Sequence, residues 1–367
     1  MSLDRRLTLL ATLAACSGSP GGGPSGSPSV SIAPAWIALL NGDSTRLTAI
    51  AIGPQGDTIA APALAWSTSS STIADVNSTG MVHARALGYT TVTVTFQGRS
   101  AVAGVAVTPN VLVGAGDIAN CSLVDDSATA TLLDTIPGVV FAAGDNAYSN
   151  GTTADYTNCY APTWGRHKTR TRPTPGNHEY NSGGGGYYSY FGRLAGDSGI
   201  GYYSYDFARW HIVALNSNFS MATGSAQEQW LRADLAAHPA TCALAYWHHP
   251  RFSSGTNHGS STLPQPLWQA LFDAGADVIV VGHEHHYERF APQQPNGTAD
   301  PTNGIRQFVV GTGGAALYPF GPPIANSEVR NNTTHGVIKL TLNPAAYAWR
   351  YITTAGAVAD SGSGSCH

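Results

Sequence analysis

Five short apolar runs in this chain end alike, each giving way to a turn that carries polar side chains. Val111 to Ala115 leads into Gly116-Asp117. Val139 to Ala143 leads into Gly144-Asp145-Asn146-Ala147-Tyr148. Arg172-Pro173-Thr174-Pro175 leads into Gly176-Asn177-His178-Glu179, and Cys242 to Trp247 into His248-His249-Pro250. Asp277 to Val281 leads into Gly282-His283-Glu284-His285-His286. The apolar runs read as buried strands. Glycine permits the tight exit that a bulkier residue blocks. Strands that repeatedly release polar groups at their ends predict an α/β sheet with its ligands gathered beyond the strand termini.

Gathered at one sheet edge, the turns supply Asp117, Asp145, Tyr148, Asn177, His248, His283 and His285. That is more oxygen and imidazole than one metal ion needs. It suits two ions sharing a bridging carboxylate, a standard device for phosphate ester hydrolysis. No thiolate belongs to the set, which argues against a structural zinc site of the cysteine type.

The ordered series GD, GDNAY, GNHE, HHP and GHEH resembles the calcineurin-like metallophosphoesterases over about Val111 to Arg350. Tyr148, three residues after Asp145, and the tail GHEHHYER make it similar to the purple acid phosphatase branch. One departure is Ala119, where the family often has glycine; it touches loop geometry and leaves Asp117 intact. The resemblance implies that Asp117, Tyr148 and His285 hold one ion, that Asn177, His248 and His283 hold the other, and that Asp145 bridges them. Hard anionic oxygens make the first pocket suit Fe(III). The amide and imidazoles of the second suit Zn, Fe(II) or Mn. The family pattern favours His248 over His249 as the ligand. His178, next to Asn177, and His258, where the resemblance puts another substrate-side histidine, are the candidate catalytic residues, either being a candidate general acid. His286 reads as structural, and His167, His211, His238 and His335 as packing or surface residues. The basic run Arg166 to Arg172 reads as a solvated face.

Arg5-Arg6 and the apolar stretch Leu7 to Ala15 read as a signal peptide, too short to span a bilayer. Leu13-Ala14-Ala15-Cys16 resembles a bacterial lipobox, so residues 1–16 are expected to end in a lipidated Cys16 and to anchor an envelope lipoprotein. Residues 17–29 form a Gly/Ser/Pro tether. Of the 5 cysteines, four then remain, in three possible pairings. The neighbouring ligand loops favour Cys121–Cys159, with Cys242–Cys366 holding the tail, in an oxidising compartment. A net charge of -4 gives no sign of a nucleic-acid surface.

Residues 30–109 alternate apolar and polar in short runs broken by turn residues, which predicts an Ig-like β-sandwich. Ala65-Trp66-Ser67, Ala74-Asp75-Val76 and Gly80-Met81-Val82 resemble the bacterial Ig-like group 2 fold. That domain reads as a spacer or a weak adhesion module. Residues 110–367 alternate strands with amphipathic segments such as Ala226 to Leu235. The family resemblance turns this into an α/β two-sheet sandwich flanked by helices. The expected function is exported phosphomonoester hydrolysis on a small phosphorylated substrate. A phosphodiesterase is the alternative within that chemistry. A surface-binding protein with a retired metal fold is the alternative outside it. Oligomeric state is not legible.

Overall fold

The computed structural model describes residues 26–60 and 62–367. The expected signal segment with Cys16, and most of the tether, lie outside them. No helix among the described residues is long and apolar enough to cross a membrane.

Ser29 to Val107 contains strands only. Gly88–Phe96 shows why: Val92, Val94 and Phe96 are buried while Thr91 and Thr95 face out, the period-two pattern of a strand with one buried face. A four-stranded sheet (Trp36–Leu39, Arg99–Val107, Gly88–Phe96, Ala65–Thr68) and a three-stranded sheet (Ser44–Arg46, Met81–Ala84, Ala74–Val76) form the sandwich, with Ser29–Ala33 pairing Thr48–Ile52. Ile32, Leu47, Val82, Val92 and Val105 fill it. Thr45 to Ile50, which reads as a single strand, is split at buried Leu47. Ser44–Arg46 pairs Met81–His83, and Thr48–Ile52 crosses to Ser29–Ala33.

The rest of the chain builds two further sheets face to face. In the six-stranded sheet, Val111–Ala115, Val139–Ala143 and Thr171–Thr174 run parallel, and Gly336–Asn343, Ala346–Thr353 and Val358–Ser365 continue it antiparallel. In the seven-stranded sheet, Trp210–Ala214, Cys242–Trp247, Val278–Val281 and Arg306–Val310 run parallel. Alternation sorts the side chains of this second sheet. Val278, Val280, Phe308 and Val310 enter the core shared with the first sheet. Ile279, Val281 and Val309 face the opposite way, against Leu231 and Leu235 of helix Ala226–Ala237 and Leu267, Trp268 and Leu271 of helix Gln265–Asp273. Helix Asp125–Thr135 contributes Ala130 and Leu133 on the far side of the first sheet. Two-sided burial is why these strands read as unbroken apolar runs.

The basic run departs from its solvated reading. Arg170 is buried and donates to the carbonyls of Leu133, Ile136 and Gly138. Arg172 is buried, its guanidinium 3.6 Å from the ring of Trp36. Trp36 belongs to the Ig-like sandwich, and its indole N–H donates to the Thr169 carbonyl at 3.1 Å. The long arms of these arginines cap carbonyls and cover aromatic surface, so the Ig-like part is docked on the larger domain.

Asp360, on the last strand, joins the two large sheets. It accepts from Tyr287 Oη at 2.6 Å, Arg289 Nε at 2.8 Å and Trp349 Nε1 at 3.0 Å. Burial opposes its charge, but the hydrogen bonds from Arg289 and Tyr287 outweigh burial and hold the carboxyl below its ordinary range. A depressed native pKa stabilises the fold above the unfolded value near 3.9 and loses that stabilisation as pH falls through the native one. Asp360→Asn is therefore expected to lower the urea midpoint at pH 7 and to cost progressively less in acid. An equal loss at pH 7 and at pH 3 would assign the effect to packing alone.

Candidate metal centre

Parallel strands bring their C-terminal ends to one edge, and the candidate ligands collect there. Asp117, Asp145 and His283 each leave their strand with positive φ, at 59°, 48° and 71°. Non-glycine residues seldom adopt that region, and such strain gathers at functional sites. The glycines around them leave room for close approach. A Cβ on Gly144 would lie 2.5 Å from His248 Nδ1, and one on Gly176 would overlap the Asp145 carboxylate.

The side chains form two groups that share one atom. Tyr148 Oη lies 3.0 Å from Asp117 Oδ1, 3.1 Å from His285 Nε2 and 3.2 Å from Asp145 Oδ2. His285 Nε2 is 3.2 Å from Asp117 Oδ1. In the second group, His248 Nε2 lies 3.1 Å from Asn177 Oδ1, 3.2 Å from His283 Nδ1 and 3.2 Å from Asp145 Oδ2. Asp145 Oδ2 is thus common to both. Its other oxygen accepts from the backbone N–H of His178 at 2.9 Å.

Backbone contacts aim the imidazoles. His248 Nδ1 meets the Ala143 carbonyl at 2.9 Å and His285 Nδ1 the Ala316 carbonyl at 2.7 Å, so in both rings Nε2 is the free donor. Metal-ligating histidines are held in this way by a carbonyl on the second nitrogen. His283 is fixed from its backbone, which donates to Asp117 Oδ2 at 2.8 Å.

Electrostatics follow burial and charge. Burial works against ionising Asp145, yet its attraction to His248 prevails and lowers its pKa to about 2. Burial likewise opposes an imidazolium at His248, and Asp145 and Asp117 overcome it, raising His248 to about 9. Burial, reinforced by His248 and His249, drives His283 far below the usual imidazole range. Burial and the two carboxylates push the Tyr148 phenol well above its ordinary value. Two carboxylates, an amide oxygen, a phenol and three imidazoles lie here with donor atoms about 3 Å apart. That is the spacing of atoms that each sit about 2.0–2.2 Å from a shared ion. His248 Nε2 and His283 Nδ1, 3.2 Å apart, can meet favourably only across a proton or a cation. The donor set fits two cations on either side of Asp145.

The two candidate catalytic histidines lie above this set. His178 Nδ1 meets the Ser149 carbonyl at 2.6 Å, leaving Nε2 3.8 Å from Asp145 Oδ2. His258 is exposed and stacks on His283 with ring centroids 4.0 Å apart. His286 is buried against Ser253 and Phe320, in keeping with a structural role. His167 and His335 bond backbone carbonyls.

Several further residues join the site, and of these only Tyr318 lies outside the sequence motifs. Tyr318 stacks on His285 at 3.8 Å and only 8° from parallel, yet it comes from a loop without a motif. His249 packs on His283 at 4.3 Å and bonds Ser217 Oγ at 2.8 Å. With His248 and His283 it makes a further group of nitrogens within 4.8 Å. Burial and the neighbouring His248 lower its pKa to about 3. Glu179 is buried and accepts from the backbone N–H groups of Asn146, Ala147 and Gly176, clamping two ligand loops together. Glu284 accepts from His258 N at 2.8 Å and from Gly259 N, fixing the loop that carries His258. Ala119, the departure from the usual glycine, donates its N–H to Asn146 O at 3.0 Å in an intact loop.

Both expected disulfides are formed, Cys121–Cys159 and Cys242–Cys366. Cys159 belongs to the helical turn Tyr156–Tyr160 that packs beneath Tyr148.

Comparison with known proteins agrees with this architecture. Residues 106–287 match the calcineurin-like phosphoesterase family and residues 27–107 the bacterial Ig-like domain (group 2). Purple acid phosphatase 22 of Arabidopsis thaliana is 34% identical over 149 residues, covering 38% of this chain and 34% of that protein. Purple acid phosphatase 15 of the same plant is 28% identical over 220 residues, covering 50% and 41%. The chain thus spans roughly a third to two fifths of the length of these relatives. The purple acid phosphatase PPD1 from yellow lupin (Lupinus luteus) seeds superposes with a TM-score of 0.61 at 18% identity, over 93% of this chain and 70% of that one. The agreement leads to one assignment: residues 106–287 form a calcineurin-like phosphoesterase domain, similar to the purple acid phosphatases, behind a bacterial Ig-like domain.

Proposed function

We propose that the protein is an exported phosphatase that hydrolyses phosphomonoesters at a pair of metal ions. One observation carries the reading: Asp145 Oδ2 stands 3.2 Å from both Tyr148 Oη and His248 Nε2, at the joint of two donor groups. Asp117, Tyr148 and His285 would hold one ion, Asn177, His248 and His283 the other, and Asp145 both. The anionic oxygens of the first group favour Fe(III), and the second favours Zn, Fe(II) or Mn. Bound there, the ions would supply Lewis acidity toward a phosphoryl oxygen and lower the pKa of water.

The chain's own residues would do the rest. His178, held through Nδ1, turns Nε2 toward the open side of Asp145, in reach of an ester oxygen that must take up a proton. His258, stacked on His283 at the rim, offers a second proton or a positive charge to the phosphate. Glu284 keeps it there through the backbone. Tyr318, flat against His285, excludes water from one side. Export and lipidation at Cys16 are part of the proposal. They rest on the sequence of residues 1–16, and two disulfides accord with an oxidising compartment.

Hydrolysis of 4-nitrophenyl phosphate and bis(4-nitrophenyl) phosphate by the metal-loaded protein tests this. The monoester should be favoured by about tenfold or more in kcat/KM, a difference of about 1.4 kcal/mol in transition-state stabilisation. Chelation should abolish turnover and added metal restore it. A faster diester would move the assignment to a phosphodiesterase. Inactivity toward both in the metal-loaded protein would favour a binding role instead.

A further inference from the structure

A second group of metal-type donors lies at the other end of the seven-stranded sheet. His211 pairs in register with Ala243, at the start of the parallel strands, whereas the candidate centre lies beyond their C-terminal ends. His211 is buried on strand Trp210–Ala214. Its Nδ1 is 2.8 Å from Asp206 Oδ1 and its Nε2 2.9 Å from Asp234 Oδ2. His238 caps the end of helix Ala226–Ala237 one turn after Asp234, so the two share a helix face. His238 Nδ1 lies 2.9 Å from the Asp234 backbone carbonyl and 3.3 Å from Asp234 Oδ1, and its ring stacks on that of His211 with centroids 4.9 Å apart. The donor atoms of His211, Asp234 and His238 all fall within 4.8 Å of one another.

Two features allow this group to take a cation in place of the ion pair that His211 makes with Asp206 and Asp234. First, Asp206 holds the remote nitrogen of His211, which leaves Nε2 as the donor that faces Asp234. A carboxylate behind an imidazole is how zinc sites orient their histidines and raise their basicity. Second, the group opens onto solvent. Asp206, His211 and His238 line a cleft of about 660 Å³ whose opposite wall includes Asp43 and Ser44 of the Ig-like domain. The Asp234 side chain is almost buried while that of His238 is about half exposed, so a cation could enter from the cleft.

We propose that His211 Nε2, the Asp234 carboxylate and the His238 imidazole form a third metal site, selective for zinc, at the junction of the two domains. Two imidazoles and one carboxylate suit zinc over magnesium or calcium, which favour oxygen. A water from the cleft completes four ligands. Bound zinc would tie the end of helix Ala226–Ala237 to strand Trp210–Ala214 and stabilise the fold by mass action. The site is independent of the proposed phosphatase reaction.

The untagged protein with its phosphatase centre loaded is dialysed against micromolar zinc chloride and its metal counted by plasma mass spectrometry. Wild type should hold three ions per chain and His238→Ala two, with unchanged hydrolysis. Thermal melting supplies a second reading. In an Asp145→Asn background, which impairs the first centre, zinc should still raise Tm, and adding His238→Ala should remove that rise. Equal zinc uptake by wild type and His238→Ala, or a zinc-dependent Tm rise that survives His238→Ala, would overturn the site. Either result would leave His211 as an imidazolium held between two carboxylates. Failure of the phosphatase reading alone would leave the His238-dependent zinc uptake intact.

Discussion

Asp145→Asn should reduce kcat/KM by more than about a hundredfold and deplete both metal ions together. Loss of a residue that merely supports a ligand costs about 10–100-fold. Asp145 should exceed that range because one of its oxygens belongs to both donor groups, 3.2 Å from Tyr148 Oη and 3.2 Å from His248 Nε2. The variant keeps the size and can keep the His178 N–H contact to Oδ1. What it removes is the negative charge between two cations, and an amide N–H placed there would face them as a donor. His249→Ala is the comparison. His249 packs against His283 and bonds Ser217, so its loss should fall within the lower range and leave metal content nearly unchanged. Metal analysis alongside steady-state kinetics separates the two. An Asp145→Asn protein that keeps two ions per chain and turns over within tenfold of wild type would sink the bridging assignment.

Much of this centre is legible in the sequence because each candidate ligand lies within a few residues of the strand that delivers it. An apolar run fixes the strand, and parallel pairing then brings the ends to one edge. Nothing in that logic reveals which way a side chain turns. Asp117, Asp145 and His283 reach the site through positive φ, a backbone choice that neither residue type nor spacing encodes. Tyr318 joins through stacking on His285 across a long sequence separation. His211 and His238 read as packing residues because the strand, hairpin and helix that assemble their cluster are adjacent only after folding.

The last strand shows the opposite failure. Val358–Ser365 holds small and polar residues without the apolar alternation of a strand. It is a strand because neighbouring rings supply the missing side chains. Cβ atoms on Gly362 and Gly364 would collide with Trp349 and Tyr347. Aromatic rings covering glycine on a paired strand make up for its lack of packing surface. The buried Arg170 and Arg172 belong to the same class: their charge is visible in the sequence, and the carbonyls and the Trp36 ring that receive them are not.

That strand leads to the second large expectation. Replacing Cys242 and Cys366 together by serine should lower Tm by on the order of 10 °C while leaving activity at 20 °C nearly intact. Cys242 starts a central strand and Cys366 follows the final one, at a sequence separation of 124. A loop of that length gives an entropic upper bound near 5 kcal/mol, and measured bridges commonly return about 2–4 kcal/mol. At about 2–4 °C per kcal/mol for a domain of this size, that is a shift of several degrees to well over ten. Apart from the bridge, the ladder to Ala346–Thr353 and the Asp360 contacts hold the tail. Most of Val358–Ser365 is exposed and only Ala346–Thr353 pairs with it. Beyond the bridge, His367 N donates to Asp277 Oδ1 at 3.0 Å and Cys366 N to Ala345 O at 3.0 Å. The bridge also lies at the start of the parallel strands, away from the ligand loops at their C-terminal ends, which is why activity should survive. Cys121–Cys159 closes a shorter loop, at a sequence separation of 38, beside Tyr148, so its removal should cost less stability and more activity. If melting of the Cys242→Ser, Cys366→Ser protein matched wild type, the ladder to Ala346–Thr353 and the Asp360 contacts would have to hold the tail alone.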